Sequence, residues 1–150
     1  MNWSIIVLKF SIIVAIILVI IQLIKVDTTP HITAQANSKK LNAPQEVITI
    51  LKRSCYDCHS HESVLPWYGK VAPMSWVVGN HINDGRKVLN FSTFYTLPKA
   101  KQKEMFERIE QSIVIRMPLP SYTWIHRDAV LTPREKKLLQ KWSKEEFKKL

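Results

Sequence analysis

Residues 54–63 read Ser54-Cys55-Tyr56-Asp57-Cys58-His59-Ser60-His61-Glu62-Ser63 and hold both cysteines of the 150-residue chain. Three chemistries use a Cys-x-x-Cys pair, and each needs different surroundings. A thioredoxin-like redox disulfide sits at a helix start within a βαβ unit, where the helix dipole lowers the first thiol's pKa. Here the pair follows a helical pattern, and no βαβ pattern surrounds it. A structural zinc ion needs four ligands, commonly two such pairs. His81 and His126 could complete a set with the cysteines, but their spacing matches no compact finger and leaves His59 beside a ligand without a role. Covalent haem attachment uses all three residues at once, with both thiols as thioethers and His59 as proximal iron ligand. Positions i, i+3 and i+4 share one helical face, so one short turn aims Cys55, Cys58 and His59 at one porphyrin.

The flanking sequence reads as helices. Asn42 is a good N-cap for the first, with Pro44 in its first turn and Gln45 at the capping-box position. Val47, Ile50, Leu51 and Ser54 mark its inner face and lead into Cys55. A long loop passes through Pro66-Trp67-Tyr68-Gly69, and Pro73 starts a second helix with Trp76, Val77, His81, Val88 and Leu89 inward. Gly85 weakens that helix enough to allow a break. Lys99 to Arg116 is amphipathic, with Met105, Phe106, Ile109 and Ile113 on one stripe. Met117-Pro118-Leu119-Pro120 ends it, because proline cannot continue the hydrogen-bond ladder. Thr132-Pro133-Arg134-Glu135 is a capping box with proline at the first helical position. It opens a lysine-rich helix with Leu138, Leu139, Trp142 and Phe147 inward. With three glycines and few alternating β-branched runs, a β fold is disfavoured. The expectation is a small all-α domain of four to five helices with long loops, over residues 42–150.

Ahead of it, Ile5 to Ile24 is a 20-residue apolar stretch broken only by Lys9, Ser11 and Gln22. As a helix it would reach roughly 30 Å, the thickness of a bilayer's hydrocarbon core, and Lys9 could snorkel back to the headgroups. A cleaved signal peptide is the competing reading, but Ala34-Gln35-Ala36 lies ten residues beyond the run and a cleavage site normally follows closely. Residues 1–25 are therefore expected to be an uncleaved membrane anchor, one N-terminal transmembrane helix, and residues 26–41 a flexible tether. Lys9 and Lys25 flank the run, so charge alone does not orient it. Haem c attachment is made outside the cytoplasm, which places the domain on the outer, periplasmic side of a bacterial inner membrane.

The formal charge is +10, of which residues 26–150 carry +8 from 20 basic and 12 acidic side chains. No helix-turn-helix, zinc-finger or aromatic RNA-binding pattern accompanies it, so no nucleic-acid partner is expected. An acidic redox partner protein is, since a basic surface steers anionic partners.

The blocks around the motif carry a resemblance. Arg53-Ser54-Cys55-Tyr56-Asp57-Cys58-His59-Ser60-His61-Glu62 is followed by Leu65-Pro66-Trp67-Tyr68, Val71-Ala72-Pro73-Met74-Ser75-Trp76, the stretch His81 to Ser92, Arg116-Met117-Pro118 and a closing run from Leu131 to Trp142. Their order, over residues 42–143, resembles the bacterial haem-binding domain family with a single Cys-x-x-Cys-His motif. The resemblance implies a cytochrome c-like, membrane-tethered periplasmic protein with one covalent haem c.

An electron-transfer haem takes a second axial ligand. Met117, 58 residues after His59 and stiffened by Pro118, is the first choice. Met74 and His81 are alternatives. Met105 reads as packing, His126 ranks lower still, as does His61, which is too near His59 to reach the opposite face, and His31 lies in the tether. Neutral thioether sulfur would raise the reduction potential, and a second histidine would lower it. Trp67, Tyr68 and Trp76 are expected to pack on the macrocycle or close the core, and Arg86 and Asn90 to bond the haem propionates. A carbonyl in the Leu65-Pro66 stretch is the expected partner of the second His59 nitrogen. The expected function is single-electron carriage without substrate catalysis. The alternatives are a haem sensor or peroxidase-like domain with an open sixth position, and an interaction module whose haem stabilises a small core.

Overall fold

The structure, a computed structural model, describes residues 3–28 and 40–150. Among these residues the chain is all-helical, with no strand. Helix α1, Trp3–Ile20, runs on as a tighter turn to Leu23. Over these 21 residues none is buried, and an 18-residue window has a mean hydropathy of 3.1, so the helix is long and apolar enough to cross a membrane. His31 and Ala34-Gln35-Ala36 lie outside the described residues.

The domain's four long helices are those the periodicity predicts. Helix α2, Gln45–Ser54, buries Val47, Ile50, Leu51 and Ser54. It starts after Pro44, with no side-chain cap, rather than at Asn42. The residue before a proline is pushed out of the helical region, so Ala43 cannot be the first helical residue that an Asn42 cap would need. After Cys55, whose φ of −133° interrupts the helix, α3 is the single turn Tyr56–His59. Helix α4, Met74–Val88, passes unbroken through Gly85. Helix α5, Lys99–Ile115, buries the expected Met105, Phe106, Ile109 and Ile113. A short α6, Pro120–Ile125, forms where a loop was expected, with Pro120 in its first turn, where no amide donor is missed. Helix α7, Pro133–Lys149, carries the predicted capping box, with Thr132 and Glu135 bonded reciprocally.

The core lies where α5 packs on α7 and α2 meets α7, with side chains of all three in one apolar cluster. Phe106 meets Trp142 edge-on at 5.5 Å and Phe94 at 4.9 Å between ring centres. The Ser143 hydroxyl donates to the Phe106 carbonyl, so a buried polar group is satisfied. Burying a side chain the size of Phe106 is worth about 1.5–3 kcal/mol. Phe147, expected inside, is 38% exposed and lies under the Lys103 ammonium.

The expected tether begins as a bound strap. Trp76, Gly79, Asn83 and Arg86, along one face of α4, meet Ile24, Val26, Asp27 and Thr28 in order. The Trp76 indole donates to the Ile24 carbonyl (2.8 Å), Asn83 Nδ2 to that of Asp27 (2.9 Å) and an Arg86 terminal nitrogen to that of Thr28 (2.6 Å). A Cβ on Gly79 would stand 2.8 Å from a Val26 methyl, so only glycine lets the strap lie this close.

Candidate functional site

The face of α4 opposite the strap walls a cavity of about 370 Å³, lined largely by apolar side chains. Helix α3 contributes Asp57, Cys58 and His59, with Cys55 just before it. Helix α4 brings Met74, Val77, Val78, His81, Ile82 and Gly85. The end of α5 and the turn after it bring Ile109, Ile113 and Met117, and α6 brings Tyr122 and Ile125.

Gly85 lets the motif turn seat against α4. A Cβ there would stand 2.5 Å from the Cys58 carbonyl oxygen, a backbone atom with nowhere to go. Its own carbonyl serves the histidine: His59 Nδ1 lies 3.0 Å from the Gly85 oxygen and 3.0 Å from the Leu89 oxygen. These carbonyls belong to the C-terminal turn of α4 and the residue after it, rather than to the expected Leu65-Pro66 stretch. The Leu89 carbonyl lies past the last turn, and the Gly85 oxygen, which already accepts from the Leu89 amide (2.9 Å), has a second lone pair for the imidazole. Carbonyls only accept, so Nδ1 must carry the proton, which leaves the Nε2 lone pair for a metal. Burial holds the His59 pKa below its ordinary value, although the two carbonyl bonds act against it. The ring is therefore a neutral ligand-type imidazole.

The cysteines are free thiols. Burial, and then the neighbouring Cys58, push Cys55 up to about 12; burial, and then the Asp57 charge, push Cys58 up to about 11. A disulfide-exchange cysteine has the opposite property, a depressed pKa and an available thiolate. The zinc alternative fares no better. Among the described residues no three His, Cys, Asp or Glu side chains come together to hold a metal ion.

Three sulfur or imidazole candidates for a second axial ligand, Met117, Met74 and His81, all line the cavity. Met105 does too, but it is only 2% exposed and belongs to the core. Other expected contacts are placed elsewhere. Arg86 is not on the wall: its guanidinium bonds the Ser60 carbonyl, the Thr28 carbonyl and the Ser63 hydroxyl, stapling the motif loop and the strap to α4. Asn90 is off the wall as well, with its oxygen capping the turn at Ser92 and its nitrogen on His61 Nε2. Trp67 is 78% exposed and Trp76 faces the strap, so of the three aromatics only Tyr68 lines the cavity.

The structure adds residues that local reading missed. Tyr122 donates to the Asp57 carboxylate (2.7 Å), and its ring stacks on His126 at 4.3 Å. Burial, and then Asp57, raise the Tyr122 phenol, which therefore stays protonated as a donor. His126 in turn shares a hydrogen bond with Tyr68. Arg108, ion-paired to Glu104, is the basic side chain on the cavity wall. Gly85 alone carried a signal, because a glycine inside a helix costs stability unless something packs against it.

These residues fit a haem. The cavity is apolar, an imidazole with an unprotonated Nε2 lies on its wall beside two unpaired thiols, and thioether side chains stand elsewhere on the lining. No curated protein and no solved structure matches the chain. The sequence model of the haem-binding domain family matches residues 16–145, from within α1 to the last turns of α7, and the chain belongs to that family.

Proposed function

We propose that this haem-binding protein is a membrane-anchored monohaem c-type cytochrome that carries single electrons on the outer face of the membrane. The observation that carries the reading is the commitment of His59 Nδ1 to two backbone carbonyls on the wall that Cys55 and Cys58 share. Haem, when bound, supplies a one-electron ferric/ferrous couple. The chain's own residues do the rest. Cys55 and Cys58 would hold the group as thioethers, and His59 would offer Nε2 in a fixed tautomer. The apolar lining keeps water out and favours the neutral ferrous site. Met117, whose amide is tied back to the Ser112 carbonyl (2.8 Å), would offer its thioether to the iron. Helix α1 anchors the domain, which on this reading carries electrons without acting on a substrate.

The test is spectroscopic. The protein is expressed with a haem c maturation system and run on a denaturing gel; covalent haem staining is expected, and its absence overturns the c-type reading. The oxidised protein should show a methionine-to-ferric charge-transfer band that Met117→Ala abolishes. Tight CO or cyanide binding by the unmutated protein would instead establish an open site and a sensor or peroxidase-like role.

A further inference from the structure

The end of α1 is bonded to the approach to α4. Both ends of the Gln22 amide engage Ala72: Nε2 donates to its carbonyl (3.2 Å), and Oε1 accepts from its backbone N–H (2.9 Å). The Trp76 indole holds the Ile24 carbonyl two residues later. Around this joint the domain turns apolar side chains outward, with Trp67 78%, Val71 47% and Met74 42% exposed. Exposed Lys70 on this loop and Lys25 on the strap stand among them. Tryptophan beside lysine is the composition of a membrane–water interface, where an apolar body and a polar or charged tip are solvated at one level.

We infer that residues 67–74 form an interfacial foot, with Trp67, Val71 and Met74 seated in the headgroup region of the bilayer that α1 crosses. The inference rests on the reading of α1 as a membrane span. Lipid is the occupant because the foot is continuous with the exposed apolar surface of α1: Leu23 is 82% and Ile24 58% exposed, and Gln22 is bonded directly to the loop. The two lysines would meet lipid phosphates at the same level. A foot of this kind sets the height of the site. Met74 belongs both to the foot and to the cavity wall, whereas Gly85, which holds His59, lies eleven residues further along α4, or about 17 Å along its axis. One edge of the cavity would thereby be presented to the lipid surface, with His59 kept above it.

The haem-loaded full chain is reconstituted in vesicles containing a phospholipid with a headgroup-proximal diazirine, irradiated and mapped by peptide mass spectrometry. Labelling is expected on α1 and on the peptide spanning 67–74, and not on the peptide carrying the exposed Phe147. Trp67→Glu should reduce labelling of the foot several-fold while leaving α1 labelling and the haem absorbance unchanged. Labelled α1 with an unlabelled foot overturns the inference and leaves the anchor standing. An unlabelled α1 overturns the anchor reading and the inference with it.

Discussion

At residue scale the site turns on a position with no side chain. Gly85 accepts from His59 Nδ1 and lets the Cys58 carbonyl approach to where a Cβ would collide at 2.5 Å. Two effects oppose each other in Gly85→Ala. Alanine gains about 1 kcal/mol of helix propensity, whereas overpacking against fixed atoms costs typically about 1–3 kcal/mol. The blocking atom is backbone within the motif turn, so the clash should win. We predict that Gly85→Ala lowers stability by up to about 2 kcal/mol in chemical denaturation and reduces the yield of haem-stained protein. Wild-type stability with a normal spectrum would show that α3 can shift away freely. Met117→Ala belongs to the same scale but separates differently: it should leave haem staining intact and change only the spectrum, because its thioether is not a covalent attachment point.

At the scale of elements, α7 is held by its first turn. Thr132 Oγ1 accepts from the Glu135 amide, Glu135 accepts from the Thr132 amide, and Arg53 of α2 pairs with the same carboxylate at 2.8 Å. Thr132→Ala should cost about 1 kcal/mol of stability in thermal or denaturant unfolding, the usual loss of a cap. The carboxylate also imposes a pH dependence. Burial tends to raise the Glu135 pKa, but the Thr132 amide, Arg53 and the Thr132 hydroxyl outweigh it and hold the group below its ordinary 4.5. A carboxylate depressed on folding stabilises above its unfolded pKa, and that contribution is lost as pH falls through the folded value. Stability should therefore fall as the pH drops from about 4.5, and Glu135→Gln should flatten this acid limb; an unchanged slope would remove Glu135 from the balance. This cap was legible because its signals are local, and the stripe of α5 was legible because periodicity needs only one element. Asn42 misled because the restriction that proline places on Ala43 outweighs a good capping side chain. Arg86 and Asn90 were legible as polar groups near the motif, but not in their partners. Those partners, Thr28 and His61, are 58 and 29 residues away in sequence, and no local pattern encodes which of them a guanidinium or an amide will choose. The motif itself announced the imidazole; the carbonyls that fix its tautomer depend on how α4 docks.

At the scale of the whole molecule, charge and the proposed anchoring would act together. Residues 26–150 carry +8. Some of the lysines on α7 are spent within the fold, as Lys144 pairs with Glu110 at 3.0 Å and Lys149 with Glu146 at 2.6 Å. No ion pair within the described residues engages Lys136, Lys137 or Lys148, and all three are free to act on a partner. A protein held at a membrane meets its partner in fewer orientations, so a field that draws an acidic surface toward it shortens the search. The field can be read without knowing that partner. Oxidation of the reduced, haem-loaded chain by anionic ferricyanide should slow as ionic strength rises, and oxidation by a cationic cobalt(III) phenanthroline complex should quicken. Exposed charges beyond about 10 Å are screened at 0.1 M salt. Replacing Lys137 and Lys148 together by Glu lowers the net charge by four and should shrink the salt dependence with ferricyanide while leaving the haem spectrum unchanged. Rates that do not change with ionic strength for either reagent would mean that the basic surface does not act at the haem edge, and that solubility alone accounts for it.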